Sequence, residues 1–218
     1  MRFLPLSSDE RWDRKLNICT VGRDASAEDL HHLPYEPTPY SVLERLAESG
    51  WIERRNLVLD YGCGKGRAGI FLSSRTGCRS IGIEFSEKLF DEASENGRNY
   101  AGRMKSSSGT KNVSAPEGSA KVSFILGNAE QYEVPEKADR FYFFNPFSVK
   151  ILQSVIGKIR NSWYASPRDM LLMFYYPSEE YVSYLMTVEE LMFTDELDLS
   201  DLFPNDPRER ILCFEISG

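Results

Sequence analysis

The sequence predicts a single α/β domain built on a mostly parallel sheet of seven strands, the last one antiparallel, with helices on both faces. Three observations carry that expectation. Short apolar runs without polar alternation recur between stretches of helical period, the pattern of strands buried on both faces. A glycine cluster, Gly62, Gly64 and Gly66, separates the first such run from the helix after it. The last two runs are joined by LSDLFPNDPRE, which is rich in turn residues and has no helical period, so they pair as an antiparallel hairpin and not through a crossover.

Residues 1–37 read as an N-terminal extension, polar with scattered apolar positions and room for one short helix. His31 and His32 lie in it, either as solvated loop residues or as a general base, since imidazole titrates near neutrality. Pro34, Pro37 and Pro39 forbid regular helix and keep the residues before them extended. Thr38 then reads as an N-cap and Pro39 as the first residue of a helix that Gly50 ends, with Val42, Leu43, Leu46 and Ala47 on one face.

The domain proper is expected over 38–218. Its first strand is 57–59, running into Asp60, and a helix follows at 66–76, ended by Gly77. A second strand at 80–84 leads to a helix capped by Ser86 that runs to about residue 104. The segment near 105–120 has no apolar period and is expected to be a flexible insertion. Strands are expected at 122–126, 141–144 and 170–175, the last two followed by helices at 149–163 and 179–186. The hairpin strands are 191–197 and 210–216, and there is no internal repeat.

Composition narrows the function classes. With 218 residues, 41% hydrophobic and 27% charged, the chain suits one globular domain with a sizeable core. No apolar stretch approaches the roughly 20 residues of a membrane span, so no membrane partner is expected. Cys19, Cys63, Cys78 and Cys213 form no Cys-x-x-Cys pair, which argues against a disulfide framework or a metal site and favours a reducing cytoplasm. The net charge of −7 favours a small molecule or a basic polypeptide over a long nucleic acid.

The segment Asp60-Tyr61-Gly62-Cys63-Gly64-Lys65-Gly66 lies between a strand and a helix, where glycines let the backbone turn tightly and approach a ligand. It is not a phosphate loop, because Lys65 precedes its glycine and the following hydroxyl is missing. Nor does it have the Gly-x-Gly-x-x-Gly spacing of a dinucleotide turn, and Asp60 would repel a pyrophosphate while welcoming a cationic amino-acid moiety. The second strand ends in Glu84, about 20 residues on, where an acid can accept both hydroxyl protons of a ribose. The other reading is a structural turn with a surface Glu84.

These residues resemble the class I S-adenosylmethionine (SAM)-dependent methyltransferases, and the resemblance covers the chain from about Tyr35 onward. It implies a single Rossmann-like methyltransferase domain with SAM as cofactor and S-adenosylhomocysteine as product. Asp60, Gly62, Cys63, Gly64 and Gly66 are similar to the family's first motif, which flanks the methionine part of SAM. Glu84 matches its ribose-binding acid, with Phe85 beside the adenine, and Asn128 and Ala129 stand in the adenine-contacting segment. An aspartate is common at position 128, but the Asn amide can still bond to the adenine edge.

Asn145-Pro146-Phe147 partly resembles the Asn/Asp-Pro-Pro-Tyr/Phe motif of amino-group methyltransferases, with one proline fewer. On that resemblance Asn145 orients an acceptor nitrogen and the aromatic packs beside it; otherwise the segment ends a strand and starts a helix capped by Ser148. Tyr35-x-x-Thr38 is similar to the cofactor-covering loop of seven-strand protein-lysine methyltransferases, or is an ordinary proline-stiffened connector. Tyr175 and Tyr176, at a strand's carboxyl end, are candidates to line a substrate pocket. Three functions remain open: methyl transfer to nitrogen in a protein lysine or other amine, methyl transfer to a small molecule or RNA base, and SAM binding without catalysis. The sequence specifies neither the acceptor nor the oligomeric state.

Overall fold

The computed structural model describes residues 7–25, 33–107 and 121–216. His31, His32 and the insertion from 108 onward lie outside them. The strands are β1 (Leu57–Tyr61), β2 (Arg79–Glu84), β3 (Val122–Leu126), β4 (Arg140–Phe143), β5 (Met170–Tyr175), β6 (Leu191–Asp198) and β7 (Arg210–Ile216). The helices are α1 (Ser8–Leu16), α2 (Tyr40–Glu48), α3 (Arg67–Thr76), α4 (Glu87–Ser107), α5 (Val149–Ala165) and α6 (Glu179–Leu185).

They form one seven-stranded sheet in the order β3-β2-β1-β4-β5-β7-β6. Strands β1 to β5 pair in parallel, and β7 runs antiparallel to both β5 and β6. The fold class and the reversed last strand are as the sequence predicts. Every residue of β1 is buried because its alternate side chains enter two cores. Leu57, Leu59 and Tyr61 pack with Leu152, Val155 and Ile159 of α5, while Val58 packs with Leu43 of α2 and Ile70 and Phe71 of α3. On the α5 face, register aligns Tyr61 with Phe143 and Phe143 with Phe174. Their rings stack at 5.0 and 4.7 Å between centroids, tying three strands together just below their carboxyl ends.

Element ends differ from the sequence reading by a few residues, and one difference changes a role. Pro39, not Thr38, is the N-cap of α2, and no side chain caps that end. The Thr38 hydroxyl instead shares a 2.9 Å hydrogen bond with the buried Tyr142 hydroxyl of β4, a partner 104 residues away that local sequence cannot reveal.

The N-terminal residues are fastened to the domain by a buried guanidinium. Arg67, the first residue of α3, is 2% exposed. Its Nε donates to Thr20 Oγ1 (2.6 Å), its Nη1 donates to the Thr38 carbonyl (3.1 Å) and pairs with Asp9, and it lies 4.4 Å over the Tyr40 ring. Asp13, also buried, is 3.9 Å from Nη2 and accepts the Thr20 and Tyr40 hydroxyls at 2.7 and 2.6 Å. Removing one partner of such a cluster strands the other charge in a dry place. Arg67→Ala is therefore expected to lower stability by about 3–5 kcal/mol, measured by urea denaturation. A loss below about 1 kcal/mol would show that water replaces the guanidinium.

Candidate active site

The carboxyl ends of β1, β2, β4 and β5 open into a cavity of about 520 Å³. Its floor is the turn after β1. Gly62 and Gly64 have φ of +70° and +53°, a region that side chains disfavour. The surroundings forbid a Cβ as well: at 62 it would stand 2.3 Å from Pro146 Cβ, and at 64 it would stand 2.1 Å from the Tyr35 ring. The turn is fixed to β2 by hydrogen bonds from the Gly62 and Cys63 amides to the Ile83 carbonyl, at 2.9 and 3.1 Å.

Glu84, at the end of β2, is nearly buried and faces the same turn. Its Oε2 accepts the Gly64 N–H (2.8 Å) and its Oε1 accepts the Ser86 N–H (2.9 Å), which orients both oxygens. Phe85 beside it leaves half of its surface exposed on the cavity lining. Asn128 and Ala129 line the same end, and Asn128 Oδ1 accepts the Glu130 N–H at 2.8 Å.

Asp60 is the unusual member. It is 4% exposed, its Oδ2 has no hydrogen-bond partner, and it borders the cavity. Burial is the main reason its pKa is pushed up to about 7, with the Glu84 charge adding to the rise and a bond from the Gly69 N–H opposing it. A carboxyl held this way favours a cation or a donor beside it. Cys63 is buried and its thiol is pushed up by burial, then by Asp60 and Glu84, so it offers backbone and not a nucleophile.

Residues 33–39 cross over this floor. Tyr35 pairs with Asp24 as an isolated antiparallel bridge, its hydroxyl donates to the Thr20 carbonyl (2.7 Å), and its ring lies on Gly64. The Leu33 N–H reaches the Pro146 carbonyl at 3.4 Å. Thr38 is buried and stands on Arg67 and Tyr142.

On the β4 side, the amide of Asn145 is held at both ends. Its Nδ2 donates to the Tyr176 carbonyl and its Oδ1 accepts the Ser178 N–H at 3.2 Å, which locks the turn after β4 to the turn after β5. Asn145 and Tyr176 both have positive φ, +40° and +50°, where backbone strain concentrates at constrained sites.

One sequence expectation differs from the structure. Gly66 does not border the cavity; it caps α3 and packs on Phe124, because the turn points it back toward α4 and β3. Phe147 borders the cavity but is otherwise buried, edge-on to Phe143 at 6.4 Å, with its carbonyl accepting the Tyr181 hydroxyl (2.6 Å). Phe144, Tyr175 and Tyr176 add aromatic surface to the same cavity, and of these only the tyrosines stood out in the sequence. Arg67, Phe203 and Glu209 also border the cavity, and no sequence signal marks them. Among the described residues, no group of three or more His, Cys, Asp or Glu is placed to hold a metal ion, and no helix is long and apolar enough to cross a membrane.

The fold is that of the class I SAM-dependent methyltransferases. A TehB-like SAM-dependent methyltransferase of Corynebacterium glutamicum superposes with a TM-score of 0.52 at 17% identity, over 96% of each chain. An RNA methyltransferase of Salinibacter ruber, solved with S-adenosylhomocysteine, has a TM-score of 0.50 at 18% identity, over 83% of this chain and 94% of that one. A SAM-dependent methyltransferase of Thiobacillus denitrificans, also solved with S-adenosylhomocysteine, has a TM-score of 0.51 at 16% identity, over 88% and 94%. In sequence, a protein-lysine N-methyltransferase of Saccharolobus islandicus (strain REY15A) is 28% identical over 109 residues, 48% of this chain and 68% of that protein. No protein-family model matches the chain.

The tight fit around Gly62 makes a stability prediction independent of any ligand. Gly62→Ala combines a disfavoured φ with a collision against Pro146 and is expected to cost about 1–3 kcal/mol. Guanidinium denaturation measures it; a midpoint equal to the parent's would mean that the Pro146 turn moves aside freely.

Proposed function

We propose that this chain is a SAM-dependent methyltransferase acting on a nitrogen acceptor, a protein lysine or another amine. The observation that carries the proposal is the buried, unpartnered Asp60 Oδ2 beside a glycine turn with no room for a Cβ, in one cavity with Glu84 and an exposed Phe85. These residues fit SAM part by part. Asp60 and the Gly62 and Gly64 backbone take the cationic methionine end, Glu84 takes the ribose hydroxyls, and Phe85, Asn128 and Ala129 take the adenine. The shared fold and the lysine-modifying relative support the class and the acceptor chemistry, respectively.

When bound, SAM supplies a methyl group already activated by its sulfonium. The chain's own work is then alignment and exclusion of water. The 33–39 segment roofs the donor site through Tyr35 and Thr38. Asn145, its amide orientation fixed by two backbone bonds, has a second lone pair on Oδ1 for an acceptor N–H, and Pro146 holds that turn against Gly62. An acidic chain suits a basic acceptor better than RNA.

Cofactor binding is expected to raise the melting temperature and to depend on pH through Asp60. In the free protein Asp60 holds its proton up to about pH 7, and a cationic ligand favours the ionised form. Binding below pH 7 therefore releases a proton, and affinity rises with pH by at most about tenfold per unit until it levels above 7. Titration calorimetry in buffers of different ionisation enthalpy reads the proton. A pH-independent affinity, or a melting shift from NAD or ATP in place of SAM, would overturn this assignment.

For Asn145→Ala, methyl transfer to a labelled acceptor from cell extract is expected to fall by about 100-fold, the scale of a reactant misplaced by an ångström. SAM affinity should change much less. Single-turnover rates beside cofactor titrations separate the two, and parental turnover would leave Asn145 as a turn-former alone.

A further inference from the structure

The far end of the cavity differs in chemistry from the donor end. Phe144, from the turn after β4, lies 4.5 Å from the Tyr175 ring and 6.3 Å from the Tyr176 ring, and Phe203, from the β6–β7 connection, borders the same space. Glu209, at the end of that connection, and Glu36, from the roof, are the carboxylates on this part of the lining. Tyr175 donates to Glu209 Oε2 at 2.6 Å, which fixes that carboxylate at the aromatic wall. Both ends belong to one cavity, which the buried Tyr142 also borders.

We infer that Phe144, Tyr175, Tyr176 and Phe203, with Glu209 and Glu36, form a subsite for an alkylammonium group. This deepens the methyltransferase reading and rests on it for what the subsite serves: capture of an alkylamine substrate by its cationic group beside the donor end. Aromatic faces attract a cation through their quadrupoles, and a carboxylate among them supplies the counter-charge that an apolar wall lacks. Arg23 and Arg67 line the same cavity, and a third basic group stands at the aromatic end. Arg208 lies 4.3 Å over the Tyr176 ring and is 3.6 Å from Asp206, which also accepts the Tyr176 hydroxyl at 2.7 Å. At Glu209 itself, two carboxylates, Asp206 and Glu36, act against one guanidinium, Arg208. Burial raises the Glu209 pKa, and the charges of Asp206 and Glu36 add to the rise, whereas Tyr175 and Arg208 oppose it. A bound ammonium relieves that mutual repulsion of carboxylates. The group is an amine on a flexible alkyl stem, from a lysine side chain or a free polyamine.

The test is equilibrium binding of three probes to the full chain, with and without S-adenosylhomocysteine: a Gly-Gly-Lys-Gly-Gly peptide, the same peptide acetylated on its lysine, and spermidine. The acetylated peptide is expected to bind about tenfold more weakly than the free-lysine peptide. Glu209→Gln is expected to weaken both ammonium probes about tenfold while leaving S-adenosylhomocysteine affinity within about twofold. Tyr175→Phe, which keeps the ring and frees the carboxylate, is a second variant should the first fold poorly, and it should weaken the ammonium probes by a smaller factor. Preference for peptide or for spermidine assigns the source of the ammonium and supports the subsite either way. Equal binding of free and acetylated peptide, or ammonium binding unaffected by both variants, overturns it. If S-adenosylhomocysteine itself does not bind, the methyltransferase reading fails, and the ammonium titrations of the protein alone still decide the subsite.

Discussion

The reversal of strand order between β1 and β4 is the constraint on which the site depends. These neighbours run parallel, but the helix after β1 covers one face of the sheet and the helix after β4 covers the other. Their connections diverge and leave a crevice at the carboxyl ends that neither helix can fill. Asp60 and Gly62 form one lip, Asn145 and Pro146 the other. The contact of Gly62 with Pro146 is the point where the lips nearly meet, and it sets how wide the crevice is. Stacking of Tyr61, Phe143 and Phe174 beneath them keeps that width fixed, because moving either strand would break the ring contacts.

Two buried charges a few residues apart show how structural and ligand-directed groups differ. The Arg67 guanidinium meets two carboxylates, a hydroxyl, a carbonyl and an aromatic face. Asp60 meets one backbone donor and a like charge, and keeps an oxygen without a partner. Arg67, with two opposite charges beside it, organises the protein even though its Nη2 also lacks a hydrogen-bond partner; Asp60, with a like charge beside it, retains an interaction energy that a ligand can use. Both follow from the turn after β1, which places Asp60 before it and Arg67 after it.

Most of the sheet was legible in the sequence because parallel strands buried on both faces must be apolar throughout, and the reversed β7 was legible because its connection contains turn residues instead of a helix. The proposed donor end could be assembled from the sequence for a similar reason: its residues fall at two strand ends separated by one crossover. One residue assigned to it, Gly66, stands off the cavity, since a glycine also serves a helix start. The opposite end of the cavity was partly hidden. Tyr175 and Tyr176 stood out in the sequence, but Phe144, Phe203 and Glu209 come from segments that meet them through the β4–β5 and β5–β7 pairings. Thr38 was assigned a local capping role, and its actual partner lies on β4. Local pattern reports the elements; it does not report what distant elements bring together.

The roof over the crevice is drawn from residues 33–39, while what it rests on comes from much later in the chain. Thr38 meets a partner 104 positions downstream, and Arg67, which anchors Thr20, is 47 positions from it. During vectorial synthesis the cover is made first and the walls last. Contacts of such long sequence separation form late, after loop-closure entropy has been overcome by the sheet itself. The early segment gains its Arg67 anchor once α3 is made but lacks its Tyr142 and Pro146 partners until β4 is in place, so the cavity is completed late in the fold.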